Sequence, residues 1–509
     1  MRRGQTDGSS ATPLQQNRRQ NLYFSVVLMI SFPVNQHAIV IGGSITGLLT
    51  ARVLSHHFEQ VTLIERDPLL DRPEPRRGQP QTRHLHGLLT SGKQILERYF
   101  PDLIESLVAG GAVSVDMSQV TRWYILGDYR LQYPSGMMGI LASRPFLEWQ
   151  IRQRVTALAN VTVLDRSRVE SLIASADRSQ IIGVKIRQHS IEQRSIEQRS
   201  IEQPQNDLEP NSIEPSPPAR AAQKTLMADL VIDASGRNSP APGWLAGLGY
   251  AKPPETVVTV GLGYATRIYR RRPHDLVGAL SLITSPDLPH HQRGGIAFPI
   301  EGDRWIVTLA GWVNDQPPLD EAGFLAFAQS LPVPDIYHLI AQAEPLSEVI
   351  GYQFPASLRR HYERLNAFPA GYLVMGDAIC SFDPIYGQGM SSAALQAALL
   401  DDLLHQSIAP TQLPRLFFRQ AAKIIDTPWQ LTISEDFRIP TTQGKKPLGT
   451  DLINAYGSLV QQATHHDPIV YGAFLQVMNL LAPPSRLFHP KIIWRVLKAK
   501  SEARFRSQT

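Results

Sequence analysis

The sequence predicts an α/β fold: a parallel sheet at its centre, a second β-sheet inserted into the chain, and a helical C-terminal region. Three observations predict it. A short apolar strand near the N-terminus runs through a glycine-rich turn into a helix and a second apolar strand. Far downstream, another buried-type strand turns through a second glycine-rich bend into a helix of small residues. Between them, Gly295-Ile-Ala-Phe-Pro-Ile300 and Arg304-Trp-Ile-Val-Thr-Leu-Ala310 flank the turn Glu301-Gly-Asp303, the pattern of a β-hairpin.

The first unit begins with the strand His37-Ala-Ile-Val-Ile41, followed at once by Gly42-Gly-Ser-Ile-Thr-Gly47. Leu48–Leu54 continues as an amphipathic helix, and Val61–Ile64 is the next strand, closed by Glu65, 18 residues after Gly47. This is a Rossmann-type βαβ unit, with glycines where the chain turns tightly and where helix and sheet meet. Gly42, Gly43, Ser44 and Gly47 would cradle a pyrophosphate at the helix N-terminus, and Glu65 would accept a ribose hydroxyl. Ser44 stands where the strict fingerprint has its middle glycine, and serine is small enough to let a pyrophosphate approach. Arg66, next to Glu65, is placed to stack near an adenine or to lie in solvent.

The second segment, Gly376–Ala397, follows the strand Leu373-Val-Met375. Asp377 can accept hydrogen bonds from the hydroxyls of a ribityl chain. Pro384 and the bend Gly387-Gln388-Gly389 let backbone approach a flat ring. A helix starting near Gly389 aims its positive end at the ring edge on which reduction places negative charge. Together with the first unit, these features point to FAD.

With both segments in view the chain resembles the FAD-dependent monooxygenases of the para-hydroxybenzoate hydroxylase fold. Within them it is most similar to the flavin epoxidases of polyketide and squalene type. The resemblance runs from about His37 onward. It is also carried by Gly78-Gln-Pro-Gln-Thr-Arg-His-Leu-His-Gly-Leu-Leu89, Ser143-Arg-Pro-Phe-Leu-Glu-Trp149 and Asp229-Leu-Val-Ile-Asp-Ala-Ser-Gly-Arg237. It implies a glutathione-reductase-like FAD-binding domain with an inserted β-sheet substrate domain. It places Arg144, at the start of a helix, near the FAD pyrophosphate, and the backbone of Val169 at the adenine edge. Asp233 and Gly236 would pack beneath the cofactor. Gln81, Arg83 and His84 become candidates for shaping the active site. Branch members often carry asparagine where this chain has Asp383, and a carboxylate there would disfavour anionic reduced flavin.

Composition agrees with a globular enzyme. The 509 residues are 43% hydrophobic and 19% charged, with a net charge of +5, which suits a mixed surface and not a nucleic-acid stripe. One cysteine, Cys380, excludes an internal disulfide and cysteine-rich metal sites. His84 and His86 would share a face on a strand, but no further ligand completes a metal set. Residues 1–36 are read as a disordered leader, because its 13-residue apolar run Leu22–Val34 is too short to span a bilayer. The stretch 188–222, with Ser-Ile-Glu-Gln-Arg repeated and then a proline-rich run, is read as a flexible insertion. The expected layout is an FAD-binding domain at 37–250 and 365–410, a β-rich substrate domain at 251–364 and a helical region at 411–509.

The chemistry implied is oxygen insertion. NADPH or NADH would reduce the FAD, which would react with O2 through a flavin hydroperoxide to epoxidise or hydroxylate a lipophilic or aromatic small molecule. No second glycine-rich βαβ unit is present, so the nicotinamide nucleotide binds transiently or a separate reductase supplies electrons. A flavin-dependent reductase of isoprenoid double bonds and a flavin-binding protein without turnover are the alternatives. A halogenase is disfavoured, since the motif Trp-x-Trp-x-Ile-Pro is absent. A cytoplasmic protein is expected. Its basic C-terminal helix, Lys491–Lys500, is suited either to an anionic membrane surface or to packing with its lysines in water.

Overall fold

The computed structural model describes residues 36–76, 78–188 and 222–506. The expected leader and the insertion lie outside the described residues except at their margins. At the centre is a five-stranded parallel sheet in the order Tyr372–Val374, Leu230–Asp233, His37–Ile41, Gln60–Ile64, Val161–Leu164. Its strands are continuous apolar runs because both faces are covered; Ala38, Ile39, Val40, Val231 and Ile232 have no exposed surface. The helices Ile45–Leu54 and Gly389–His405 pack on each other beside it. Segments far apart in sequence thus meet at one edge, the C-terminal ends of the central strands, where loops gather ligands.

The hairpin expected around Glu301–Asp303 forms, with Arg293–Ile300 paired antiparallel to Arg304–Gly311. It sits in a seven-stranded sheet ordered Ile350–Gln353, Gly263–Arg270, Arg304–Gly311, Arg293–Ile300, Ser281–Thr284, Thr121–Ile125, Asp128–Tyr129. Two features go beyond the sequence reading. The stretch expected to be β-rich carries two helices, Glu321–Gln329 and Asp335–Gln342, whose Phe324, Phe327, Ile336 and Ile340 seal one sheet face against Trp305 and Leu309. The sheet also draws in residues 121–129, expected in the FAD-binding part, because Thr121–Tyr124 pair parallel with Ser281–Thr284.

The strands Ser167–Ala174, Ile181–Gln188 and Ala222–Met227 form a third, antiparallel sheet. The C-terminal region is helical, as expected: Leu413–Asp436, Thr450–Ala463, Pro468–Met478 and Pro490–Arg506. The last three share a small core of Val460, Ala463, Val470, Ala473, Ile492 and Val496. Among the described residues no helix is long and apolar enough to cross a membrane.

Candidate functional site

Two cavities open at the meeting edge of these elements. The first, about 820 Å3, runs along the glycine loop and is lined by Gly42, Gly43, Ser44, Glu65, Arg66, Gln81, Arg144, Val169, Asp377, Pro384, Gly387 and Gly389. The second, about 830 Å3, lies between the seven-stranded sheet and the C-terminal helices. Leu85, Gly87, Pro384 and Gly387 line both, so the two cavities meet at the Gly387 bend.

The glycine loop is built as a close crossing. A Cβ at Gly47 would stand 1.7 Å from the Gly42 carbonyl oxygen, so the first helix can pass under the loop only without a side chain there. Gly387, at φ +63°, takes the left-handed turn that feeds the Gly389 helix. Ser44 precedes the first helix in extended conformation, leaving the helix-start N–H groups unengaged by its side chain. Its hydroxyl instead donates to Glu148 (3.0 Å) and accepts from Arg144 Nη2 (3.0 Å).

Around that hydroxyl is a buried charge network. Arg144 is the first residue of its helix, which Ser143 caps by accepting the Phe146 N–H, and lies 3.4 Å from Glu148 one turn on. Arg76 pairs with Glu148 and, at 2.8 Å, with Glu65, and donates to the Gly43 carbonyl. Burial lowers the Arg76 pKa, but Glu148 and Glu65 outweigh it and hold the guanidinium more strongly charged than usual. Burial likewise pushes the Glu65 carboxyl up, and Arg76 with the N–H groups of Asp67 and Gly43 pulls it below its ordinary value. Glu65 therefore reaches the cleft with its oxygens already engaged; a sugar hydroxyl there shares them with Arg76. Asp377 is exposed in the cleft, within the field of Arg144 and Arg237.

Five expected site residues do not line the first cleft. Gly47 and Gly376 are buried beneath it, the latter against the Thr46 side chain. Gln388, expected at the cofactor, is 1% exposed and turns away to donate to the Met478 carbonyl at 3.1 Å, tying the bend to the C-terminal helices. Arg83 is exposed on a short 3-10 turn and lines neither cavity. His84 is buried against the sheet, its Nδ1 2.8 Å from Thr266 Oγ1 and its ring edge-on to Tyr264 at 4.8 Å. Burial and Arg83 lower its pKa to about 4, so it is neutral. The expectation that Arg83 and His84 shape the site is corrected on this point. His86, not His84, lines the cleft; both lie in irregular chain beyond the Pro80–Arg83 turn.

Asp383 is fully withdrawn from solvent beside the Gly387 bend. Its Oδ1 accepts the Ile385 N–H at 2.9 Å, and its Oδ2 has no partner among the described residues. Asp436, at the end of the Leu413–Asp436 helix, is 1% exposed with an equally unpartnered Oδ2. Burial pushes the Asp383 carboxyl up to about 7 against the Ile385 hydrogen bond. Burial, then Asp383 and Glu435, push Asp436 well above its ordinary value. Tyr386 also senses both, with Glu435 and Arg438 beside it, and Tyr264 senses Asp383. The charge of Asp383 opposes ionisation of Asp436, so the two titrate together.

Sequence reasoning missed Arg76, Glu148, Asp436 and Arg237, the last of which donates to the Ala356 carbonyl at the cleft. The four-residue spacing of Arg144 and Glu148 on a helix was a usable signal. Arg76 sits in an irregular loop and carried none.

No protein-family model matches the chain. Protein Rv3254 of Mycobacterium tuberculosis is 30% identical over 462 residues, which cover 87% of this chain and 90% of that protein. Among solved structures, PqsL, a probable FAD-dependent monooxygenase from Pseudomonas aeruginosa, matches at a TM-score of 0.56 and 16% identity, over 79% of this chain and 98% of that one. The flavin-dependent brominase Bmp2 matches at 0.59 and 13% identity, over 92% of this chain and all (100%) of that one. The fold is therefore that of the FAD-dependent monooxygenases and flavin-dependent halogenases, without distinction of an epoxidase branch within it.

Proposed function

The chain belongs to the family of Mycobacterium tuberculosis protein Rv3254, and on that footing we propose that it is an FAD-dependent monooxygenase of a lipophilic or aromatic small molecule. The observation that carries the reading is the junction of two cavities of ligand size at Leu85, Gly87, Pro384 and Gly387. One is the more polar and is built on a dinucleotide-type loop, and the other is largely apolar.

The first cleft fits FAD. The crossing at Gly47 clears the helix start, Arg144 and Arg76 converge there, and buried Gln79 Oε1 in the cleft wall has no partner among the described residues. The loop N–H groups with Arg144 would hold the pyrophosphate, Arg76 steadying Glu65 and Glu148 behind them; Glu65, Arg66 and Val169 would hold the adenosine, and Asp377 the ribityl chain. Pro384, Gly387 and Gly389 would bound the ring. FAD bound there supplies a two-electron carrier that activates O2. The chain's own residues do the rest. The sheet and C-terminal helices wall a cavity that excludes water and orients the substrate. A proton held on the Asp383–Asp436 pair leaves the ring's surroundings without the extra negative charge that Asp383 would otherwise bring.

NADPH or NADH is the electron donor in this reading, directly or through a separate reductase. Trp494 and Leu497, 60% and 54% exposed on the basic terminal helix, support peripheral contact with a membrane surface. Sedimentation with anionic liposomes, and its loss in Trp494→Ala, tests that contact. The activity is tested by following NAD(P)H oxidation and oxygen uptake against polyenes and phenols. Substrate-stimulated uptake with an oxygenated product is expected. Saturation of a double bond without oxygen uptake would instead indicate the reductase.

A further inference from the structure

One buried arginine in the wall of the large apolar cavity has no carboxylate partner among the described residues. Arg130 is 3% exposed, yet no carboxylate pairs with it among the described residues. Among the other buried arginines, Arg76, Arg267, Arg359 and Arg360 each have a carboxylate partner, and Arg152, which has no ion pair among the described residues, still lies in the field of Glu148 and Asp71. The partners of Arg130 are neutral: Nη1 donates to Thr464 Oγ1 and Nη2 to Gln461 Oε1, both at 3.0 Å. Its Nε–H, also buried, has no acceptor. Trp123 and Phe474 lie over the guanidinium at 4.1 and 4.4 Å, with Tyr471 at 5.4 Å. Aromatic faces hold a cation in place but do not neutralise it. Burial lowers its pKa to about 10, which leaves it charged at neutral pH.

Arg130, Trp123, Gln461 and Phe474 all line the second cavity, whose other limit is the Pro384–Gly387 bend. We propose that Arg130 is the seat for the carboxylate of an otherwise apolar substrate, which the cavity holds by its acidic end while its body extends toward the Gly387 bend. This rests on the monooxygenase reading for the cavity's role, and it narrows the substrate to lipophilic or aromatic carboxylic acids. A desolvated cation is costly unless paired, and a carboxylate entering the cavity supplies both the missing charge and the missing acceptor. With its faces covered by aromatic rings, the guanidinium accepts the anion in its own plane, where Nε–H is free.

The test is calorimetric titration of the FAD-loaded full chain with 1-naphthaleneacetate and its uncharged amide, which share one apolar body. The acid is expected to bind at least about tenfold more tightly, the scale of a buried charge-assisted pair. Arg130→Met, which keeps the apolar stem, is expected to bind acid and amide equally while retaining FAD and the wild-type unfolding midpoint. Equal affinities in the wild-type protein, or binding of neither compound, overturn the proposal whatever the fate of the variant. Failure of the monooxygenase reading shows separately, as a purified chain without bound flavin; acid selectivity in the calorimeter would survive that result.

Discussion

Replacing Asp383 with asparagine isolates what the buried carboxyl pair does. The two side chains are nearly isosteric, and asparagine Oδ1 keeps the hydrogen bond from Ile385 N–H. The folded pKa of Asp383 is raised from 3.8 to about 7. Stability from the protonated group is thus fully present below about pH 4, the ordinary carboxylate range, and is lost as pH rises through about 7. A shift of about three units at ~1.4 kcal/mol each sets a ceiling of ~4 kcal/mol on that loss. Between pH 5 and pH 8 only the stretch from 5 to about 7 contributes, ~2.7 kcal/mol, and Asp436 competes for the same proton, so an increment of about 1–3 kcal/mol is expected. The groups facing the pair are Glu435, Arg438, Tyr386 and Tyr264; of these only Arg438 is cationic, and it is already paired with Glu435. Urea unfolding of wild type and Asp383→Asn at pH 5 and pH 8 measures the effect. The variant should gain on the wild type as pH rises. Parallel pH responses of the two proteins would refute the claim that Asp383 carries a proton in the folded state.

Other outcomes follow from the same geometry. Asp377→Ala is expected to weaken FAD by about 1–3 kcal/mol in equilibrium titration, the scale of a hydrogen bond to a charged group. Gly47→Ala drives a methyl into the Gly42 carbonyl, so purified protein should be poorly folded or free of flavin by absorbance. Glu65→Ala should lower stability as well as FAD affinity, because it leaves Arg76 with Glu148 alone and frees the Gly43 N–H. A loss of about 3 kcal/mol is expected from breaking such a buried pair, read from the urea midpoint. Because the Glu65 carboxyl is depressed by its partners, its contribution is present above about pH 4.5 and disappears in acid. Arg83→Ala should leave FAD binding and turnover unchanged, since its side chain lines neither cavity.

The parts legible in the sequence were those with local patterns. The βαβ unit at His37–Glu65, the small-residue helix from Gly389 and the hairpin at Glu301–Asp303 each follow from a run of side chains and a turn within a few residues. What escaped was set by distance. Thr121–Tyr124 joins the seven-stranded sheet through pairing with residues 160 positions downstream, which no local pattern reports. His84 and His86 would share a face only on a strand, and the chain at 84–87 is irregular. Arg130 reads as an ordinary surface arginine after a hairpin turn. Trp123 covers it from its own hairpin, and only the approach of Gln461, Thr464 and Phe474 from two C-terminal helices reveals it as a buried cation.

The central claim is that FAD occupies the glycine-loop cleft with its ring at the junction of the two cavities. A crystal structure of the FAD-loaded protein tests it most directly. The account predicts the ring at Pro384–Gly387, the ribityl chain at Asp377 and the adenosine beside Glu65 and Val169. A ring elsewhere, or a chain that binds no flavin at saturating concentration, would contradict it.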